Sequence, residues 1–295
     1  MKIVNSAGMF IRKNIRVIIG YTLFCLSAFV LFFIILFPRD AIKKRIIYEI
    51  EKGTATEIRT SGDKWLFPAG IKFTGMELRR PGVVDSALLA RIDIIGIDIP
   101  LGSIASLSPV SNISASLYGG TVKGTMTMRS SNRLLQADWT NIDVSRVERL
   151  KSVPMTLEGK VSGDMVLRLA GNKPEGQIRI LIRDGKFGKL KVMGFTLPEI
   201  PVDELNGTVD IKDNTIALKE LRFKNSDMKG SITGSFKLAS GSEKGNLDLA
   251  IRFSVGEKMK AQYQGILSFI SSTKDREGYY TVHIKGDPAK PTVGI

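Results

Sequence analysis

One pattern, G-x-[VI]-x-G-x-[MF]-x-[ML], occurs three times: "GTVKGTMTM" from Gly120, "GKVSGDMVL" from Gly159 and "GSITGSFKL" from Gly230. Its apolar residues recur every second position. That period belongs to a strand, whose successive side chains point to opposite faces. The first copy places Val122, Gly124, Met126 and Met128 on one face, and Thr121, Lys123, Thr125 and Thr127 on the other. The second copy brings together Val161, Gly163, Met165 and Leu167; the third does so with Ile232, Gly234, Phe236 and Leu238. A phosphate-binding loop needs its lysine after the last glycine and a helix behind it. Lys123 instead precedes Gly124, and a strand pattern comes after it, so the phosphate reading fails. Glycine inside a strand permits a bend, a bulge or a close backbone approach. On the apolar face, Gly124, Gly163 and Gly234 therefore predict a shallow furrow or an inward curl.

The same period runs through "ARIDIIGIDI" (90–99), "NISASLYGG" (112–120), "QIRILIRDG" (177–185), "LNGTVDIKDNTIALKELRF" (205–223), "GNLDLAIRF" (245–253) and "YYTVHIKG" (279–286). Asp184-Gly185 and Asp213-Asn214 read as turn pairs between strands. Two short helices are expected, in "PLGSIASL" (100–107) and in "DVSRVERLKSV" (143–153), the latter capped by Asp143. The fold class is thus mainly β and antiparallel, with a few short helices. Covering a large apolar side chain is worth roughly 1.5–3 kcal/mol, so the apolar faces need cover. Period alone favours a closed sandwich core; the other solution is a curled sheet with a lipid-accessible apolar groove.

Ahead of the sheet, residues 17–37 read "VIIGYTLFCLSAFVLFFIILF", 21 residues without a charge. As a helix they span about 31 Å, the thickness of a bilayer's hydrocarbon core. The run is too long for a cleaved signal, and "FPRDA" behind it is no small-x-small cleavage site. A single N-terminal transmembrane helix is expected. Lys2, Arg12, Lys13 and Arg16 precede the span and Arg39, Lys43, Lys44 and Arg45 come after it, so basic counts do not set its orientation. The charge of the amino terminus, and the lower weight of charges in a long translocated domain, favour a cytoplasmic tail. The organisation expected is a basic tail (1–16), a transmembrane helix (17–37), a juxtamembrane helix and linker (38–64) and a β-rich domain (65–295) on the periplasmic side of a bacterial inner membrane. Within the third segment, Ile42, Ile46, Ile47 and Ile50 have helical spacing.

Composition narrows the chemistry. The one cysteine, Cys25, allows no intramolecular disulfide, and the one histidine, His283, shares a strand face with Thr281 and Lys285. Ser61–Lys64, Ser226–Lys229 and Ser271–Lys274 have Ser-x-x-Lys spacing at the frequency chance supplies. Asp210 and Asp213 flank a hairpin turn without the ligand count of a calcium loop. The residues therefore predict no catalytic, cofactor or metal site, and no small-molecule substrate. Outside the tail, 39 basic and 29 acidic residues give residues 39–295 a net charge of +10. That favours anionic neighbours, membrane lipids first. Aromatic residues are not interleaved with the basic ones, which argues against nucleic acid.

Two families share these features. "LNGTVDIKDNTIALKELRFKNSDMKGSITGSFKLAS" and "DVSRVERLKSVPMTLEGKVSGDMVLRLAG" have a cadence similar to AsmA-like proteins, and the terminal "IKGDPAKPTV" resembles the last strand of that group. The whole plan resembles the type II secretion protein N (GspN) family, with its basic tail, one anchor, about 250 β-rich residues and an "LYGG" segment. The second resemblance implies a non-enzymatic, inner-membrane-anchored periplasmic component of the type II secretion system, with other secretion subunits as partners. The first implies a curled AsmA-like sheet and a role in carrying or shielding lipid in the bacterial envelope.

Overall fold

Hairpin chemistry sets the topology. Tyr118-Gly119 and Asp213-Asn214 take positive φ at both positions (51° and 77°; 48° and 60°). They close two-residue loops between Leu117 and Gly120 and between Lys212 and Thr215. Such turns match the right-handed twist of the strands they join. The "LYGG" segment is thus a turn, and its tyrosine also ties down neighbours. The Tyr118 hydroxyl accepts from the Arg91 N–H (2.9 Å) and donates to Glu148 Oε2 (3.0 Å). Burial, first of all, raises the phenol's pKa.

The computed structural model describes residues 17, 19–29, 31–32, 36, 39–67, 69–81, 88–104, 108–128, 132–151, 156–170, 173–188, 191–192, 195–196, 199–237, 245–287 and 292–294. The chain divides into two compact units, Met1–Gly53 and Thr54–Ile295. In the first, the described residues between 17 and 36 are helical, and helix α1 covers Arg39–Thr54. Among the described residues no helix is long and apolar enough to cross a membrane. Residues 18, 30, 33–35 and 37 of the expected span lie outside them.

The second unit is dominated by one antiparallel sheet of 15 strands. It opens with β1 (Glu57–Arg59) and β2 (Gly62–Leu66), which both pair with β3 (Gly70–Arg79). It proceeds in chain order through β4 (Leu88–Asp98), β5 (Val110–Leu117), β6 (Gly120–Met128), β7 (Asn132–Asp143), β8 (Thr156–Ala170) and β9 (Lys173–Gly188). A separate two-stranded hairpin, β10 (Lys191–Val192) and β11 (Phe195–Thr196), interrupts the path. The sheet resumes with β12 (Ile200–Lys212), β13 (Thr215–Lys224), β14 (Met228–Lys237), β15 (Asn246–Val255), β16 (Tyr280–Gly286) and β17 (Thr292–Gly294). Every strand expected from period two is present, and the sheet begins before residue 65.

The ladder stays open. Among the described residues its ends, β1 and β2 on one side and β17 on the other, do not pair. The curled sheet expected from the sequence is therefore not what forms. Nor does a closed sandwich: most apolar-face residues are half-exposed rather than buried. Two groups of buried residues stand out. Ile71, Phe73 and Met76 are buried on β3. Val202, Leu205 and Phe223 form a second cluster, with Ile182, Phe187, Leu221, Met228, Ile232, Ile251 and Phe253 packed against it.

Two local expectations change. Asp184-Gly185 is no turn: it lies inside β9, where Asp184 (φ 53°) forms a bulge against β8, at the register shift between Glu158 and Lys160. Asp143 does cap its segment, accepting from the Ser145 N–H (3.0 Å), but the segment is a 3₁₀ turn (Val144–Arg146) and then a single α turn, α3 (Glu148–Lys151), rather than one helix. Of the other expected helix, Leu101–Ile104 form α2, and residues 105–107 lie outside the described residues. Helices α4 (Glu257–Gln262) and α5 (Gln264–Phe269), between β15 and β16, have no counterpart among the expected elements. Met259 and Leu267 are their buried contacts, and Met259, Tyr263 and Leu267 recur at i, i+4 and i+8, the spacing that could have revealed them.

Candidate functional site

Register converts the three glycine-marked copies into a surface. On β6, Gly124 faces Ile113 of β5 and Ala137 of β7. Ala137 faces Met165, Met165 faces Ile178, and Ile178 faces Val209. The row continues through Leu218, Gly234, Leu249, Ile284 and Val293. In the other direction it passes from Ile113 to Ile97, Ile71 and Trp65. A single line of apolar or glycine positions thus crosses the sheet from β2 to β17. Two further rows flank it. One holds Val122, Trp139, Gly163, Ile180, Gly207, Leu221, Ile232, Ile251 and Val282; the other holds Met126, Leu135, Leu167, Gly176, Ile211, Ile216, Phe236 and Leu247.

The predicted stripe residues are therefore on one face and in common rows. Gly124, Met165 and Gly234 share the central row; Val122, Gly163 and Ile232 share one flank; Met126, Leu167 and Phe236 share the other. Val161 lies one pair beyond Gly163, opposite Ile142 and Ile182. Leu238 and the side chain of Met128 lie outside the described residues. The strands between the copies supply the rest of the face, notably Trp139, Ile178 and Ile180. Their alternation was legible, but their register against β6, β8 and β14 was not.

The glycines do not carve the expected furrow. A Cβ on Gly124 would lie 2.6 Å from the Gln136 carbonyl oxygen, and one on Gly163 would meet the Arg179 carbonyl oxygen at 2.2 Å and the Trp139 ring at 2.7 Å. The space is filled by neighbouring backbone and ring, so the glycines permit close approach of strands.

One border of the face is sealed over β12–β16, and the other is open. Beyond the Val122 row, Leu205, Phe223 and Tyr280 are buried, and the rings of Phe253 and Tyr280 stack at 5.7 Å. Helix α4 is fixed on that side: the Met259 N–H donates to Asp227 Oδ2 (2.6 Å), and the Gly256 N–H to the Asp227 carbonyl (2.7 Å). The "NSDMKG" connection thus caps a helix remote in sequence. Along the Met126 row, the described side chains are half-exposed.

The opposite face is laced with cross-strand ion pairs: Arg179–Asp164 (2.9 Å), Lys219–Asp210 (3.2 Å), Lys224–Glu204 (3.6 Å) and Lys285–Asp248 (3.4 Å). The hydrogen bond to Asp164 raises the pKa of Arg179; bonds from Gln177 and Lys219 hold the Asp210 carboxyl low. His283 is exposed there. Among the described residues, no group of three His, Cys, Asp or Glu side chains is placed to hold a metal ion.

Compared with protein-family models, curated proteins and solved structures, the chain matches none of them.

Proposed function

We propose that the chain is a non-enzymatic lipid-binding protein of the bacterial envelope, tethered to the inner membrane by residues 17–37, with its sheet on the periplasmic side. The observation that carries this reading is the apolar face: continuous from Trp65 to Val293 and half-exposed over most of its strands. Water at such a surface is costly, and each methylene of an acyl chain that leaves water to be buried against it gains at most about 0.8 kcal/mol. Fourteen strands at about 4.8 Å spacing extend the central row over roughly 60 Å, some four times the ~15 Å depth of one leaflet's hydrocarbon. The face has length for more than one lipid.

The test uses the full chain, purified in detergent and incubated with phospholipid micelles, then re-isolated for lipid mass spectrometry. Phospholipid is expected to stay bound, and the double variant Met165→Gln/Ile178→Thr to lose most of it with its circular dichroism unchanged. A wild-type chain that returns free of lipid sinks the reading. The secretion-system role implied by the family resemblance is the second reading, favoured by the plan of basic tail, apolar segment and β-rich body. There the same face meets other secretion subunits, and a deletion that leaves exoprotein release untouched counts against it.

A further inference from the structure

From β5 to β17 the described positions of the apolar face carry one charge. Among the described face positions of β5–β9 and β12–β17, residues are apolar or glycine except for buried Ser111, the Tyr280 hydroxyl and Arg133. Arg133 faces Leu169 on β8, which in turn faces Pro174 on β9. That places it one pair beyond Leu135, on the open border of the face, at the other end of β7 from half-exposed Ile142 and buried Val144. It is exposed, and among the described residues it forms no ion pair, whereas Arg179, Lys219, Lys224 and Lys285 on the other face each meet a carboxylate.

A cation among apolar rows would be costly to bury unpaired. At the border it keeps its water and presents a planar fork of donors, which suits the paired oxygens of a phosphate. An amphiphile lying with its tails on the rows, running toward the opposite border, leaves its polar end at the open one. Resting on the lipid-binding reading, we propose that Arg133 binds the phosphate of a glycerophospholipid whose acyl chains occupy this face, so that the site distinguishes phospholipids from neutral lipids with the same tails.

The full chain in dodecyl maltoside is incubated with mixed micelles holding equal amounts of phosphatidylglycerol and diacylglycerol of the same chains, and re-isolated for mass spectrometry. Wild type is expected to retain phosphatidylglycerol preferentially. Arg133→Gln is expected to retain about tenfold less of it, with diacylglycerol uptake and unfolding temperature unchanged. Arg133→Lys should recover part of the preference. An Arg133→Gln variant that keeps the wild-type preference overturns the proposal while leaving lipid binding intact. Uptake of neither lipid by wild type overturns the lipid-binding reading beneath it. Excess inorganic phosphate should leave the bound phosphatidylglycerol in place; complete displacement would reduce Arg133 to an ion site and overturn the proposal.

Discussion

Gly234 has φ +133°, and a Cβ there would sit 2.1 Å from the Asp248 carbonyl oxygen. Two penalties coincide, backbone strain and a clash with a strand that is itself paired on both sides. Gly234→Ala is expected to destabilise the sheet by about 1–3 kcal/mol, read as a lower urea midpoint in circular dichroism. Alternation placed this glycine on the right face, but its φ and the carbonyl opposite depend on the neighbouring strand. A second residue-scale prediction concerns acid. Arg252 holds the Asp275 carboxyl below the usual carboxylate range, helped by the N–H groups of Tyr279 and Glu277. Arg252 also lies over the Tyr279 ring at 4.0 Å. Because the folded pKa is depressed, this contribution is fully present above the unfolded value near about 3.9, and it is lost as pH falls through the folded pKa. Protection of the Glu277 and Tyr279 amides against exchange, relative to their intrinsic rates, should fall below about pH 4, and in Arg252→Gln the fall should start at a higher pH.

At the scale of elements, bulges keep the apolar face apolar where the sequence changes phase. In "TIALKELRF", Ile216 and Leu218 alternate in one phase and Leu221 and Phe223 in the other. The register against β14 shifts between Leu218 and Leu221, which turns all four to the same side. Deleting Lys219 brings Leu218 and Leu221 to the two-residue spacing of a regular strand, so all four stay on the same side without the bulge. The sheet is therefore expected to tolerate the deletion, with a urea midpoint close to that of the wild type in chemical unfolding; a large loss of stability would show that the bulge itself is needed. The phase change is visible in the sequence, but only the partner strand shows which residues are extruded. Helix α4 makes a similar case. Its Gly256 cap offers no side chain, and its capping carboxylate comes from Asp227. Asp227→Ala should cost about 1 kcal/mol and speed amide exchange within residues 257–269 selectively.

For the whole molecule, the balance is between a sheet large enough to hold itself by ladder bonds and an apolar face that this sheet does not cover. A ligand binding only the folded form stabilises it by RT ln(1 + [L]/Kd), about 2.7 kcal/mol at a hundredfold excess over Kd. Phospholipid should therefore raise the unfolding temperature of the wild-type chain, and do so much less for Met165→Gln/Ile178→Thr. A thermal shift of equal size in both would place the lipid elsewhere.

Period two and turn chemistry are local properties, so the sequence by itself determined the strands, the Asp213-Asn214 hairpin and the side on which Val122, Met165 and Ile232 fall. Which strand positions stand opposite one another depends on bulges and on contacts between residues far apart in the chain. Only the tertiary structure decided that the three copies fall into common rows, that the sheet stays open rather than closing on itself, and that Arg133 stands on the border of its apolar face.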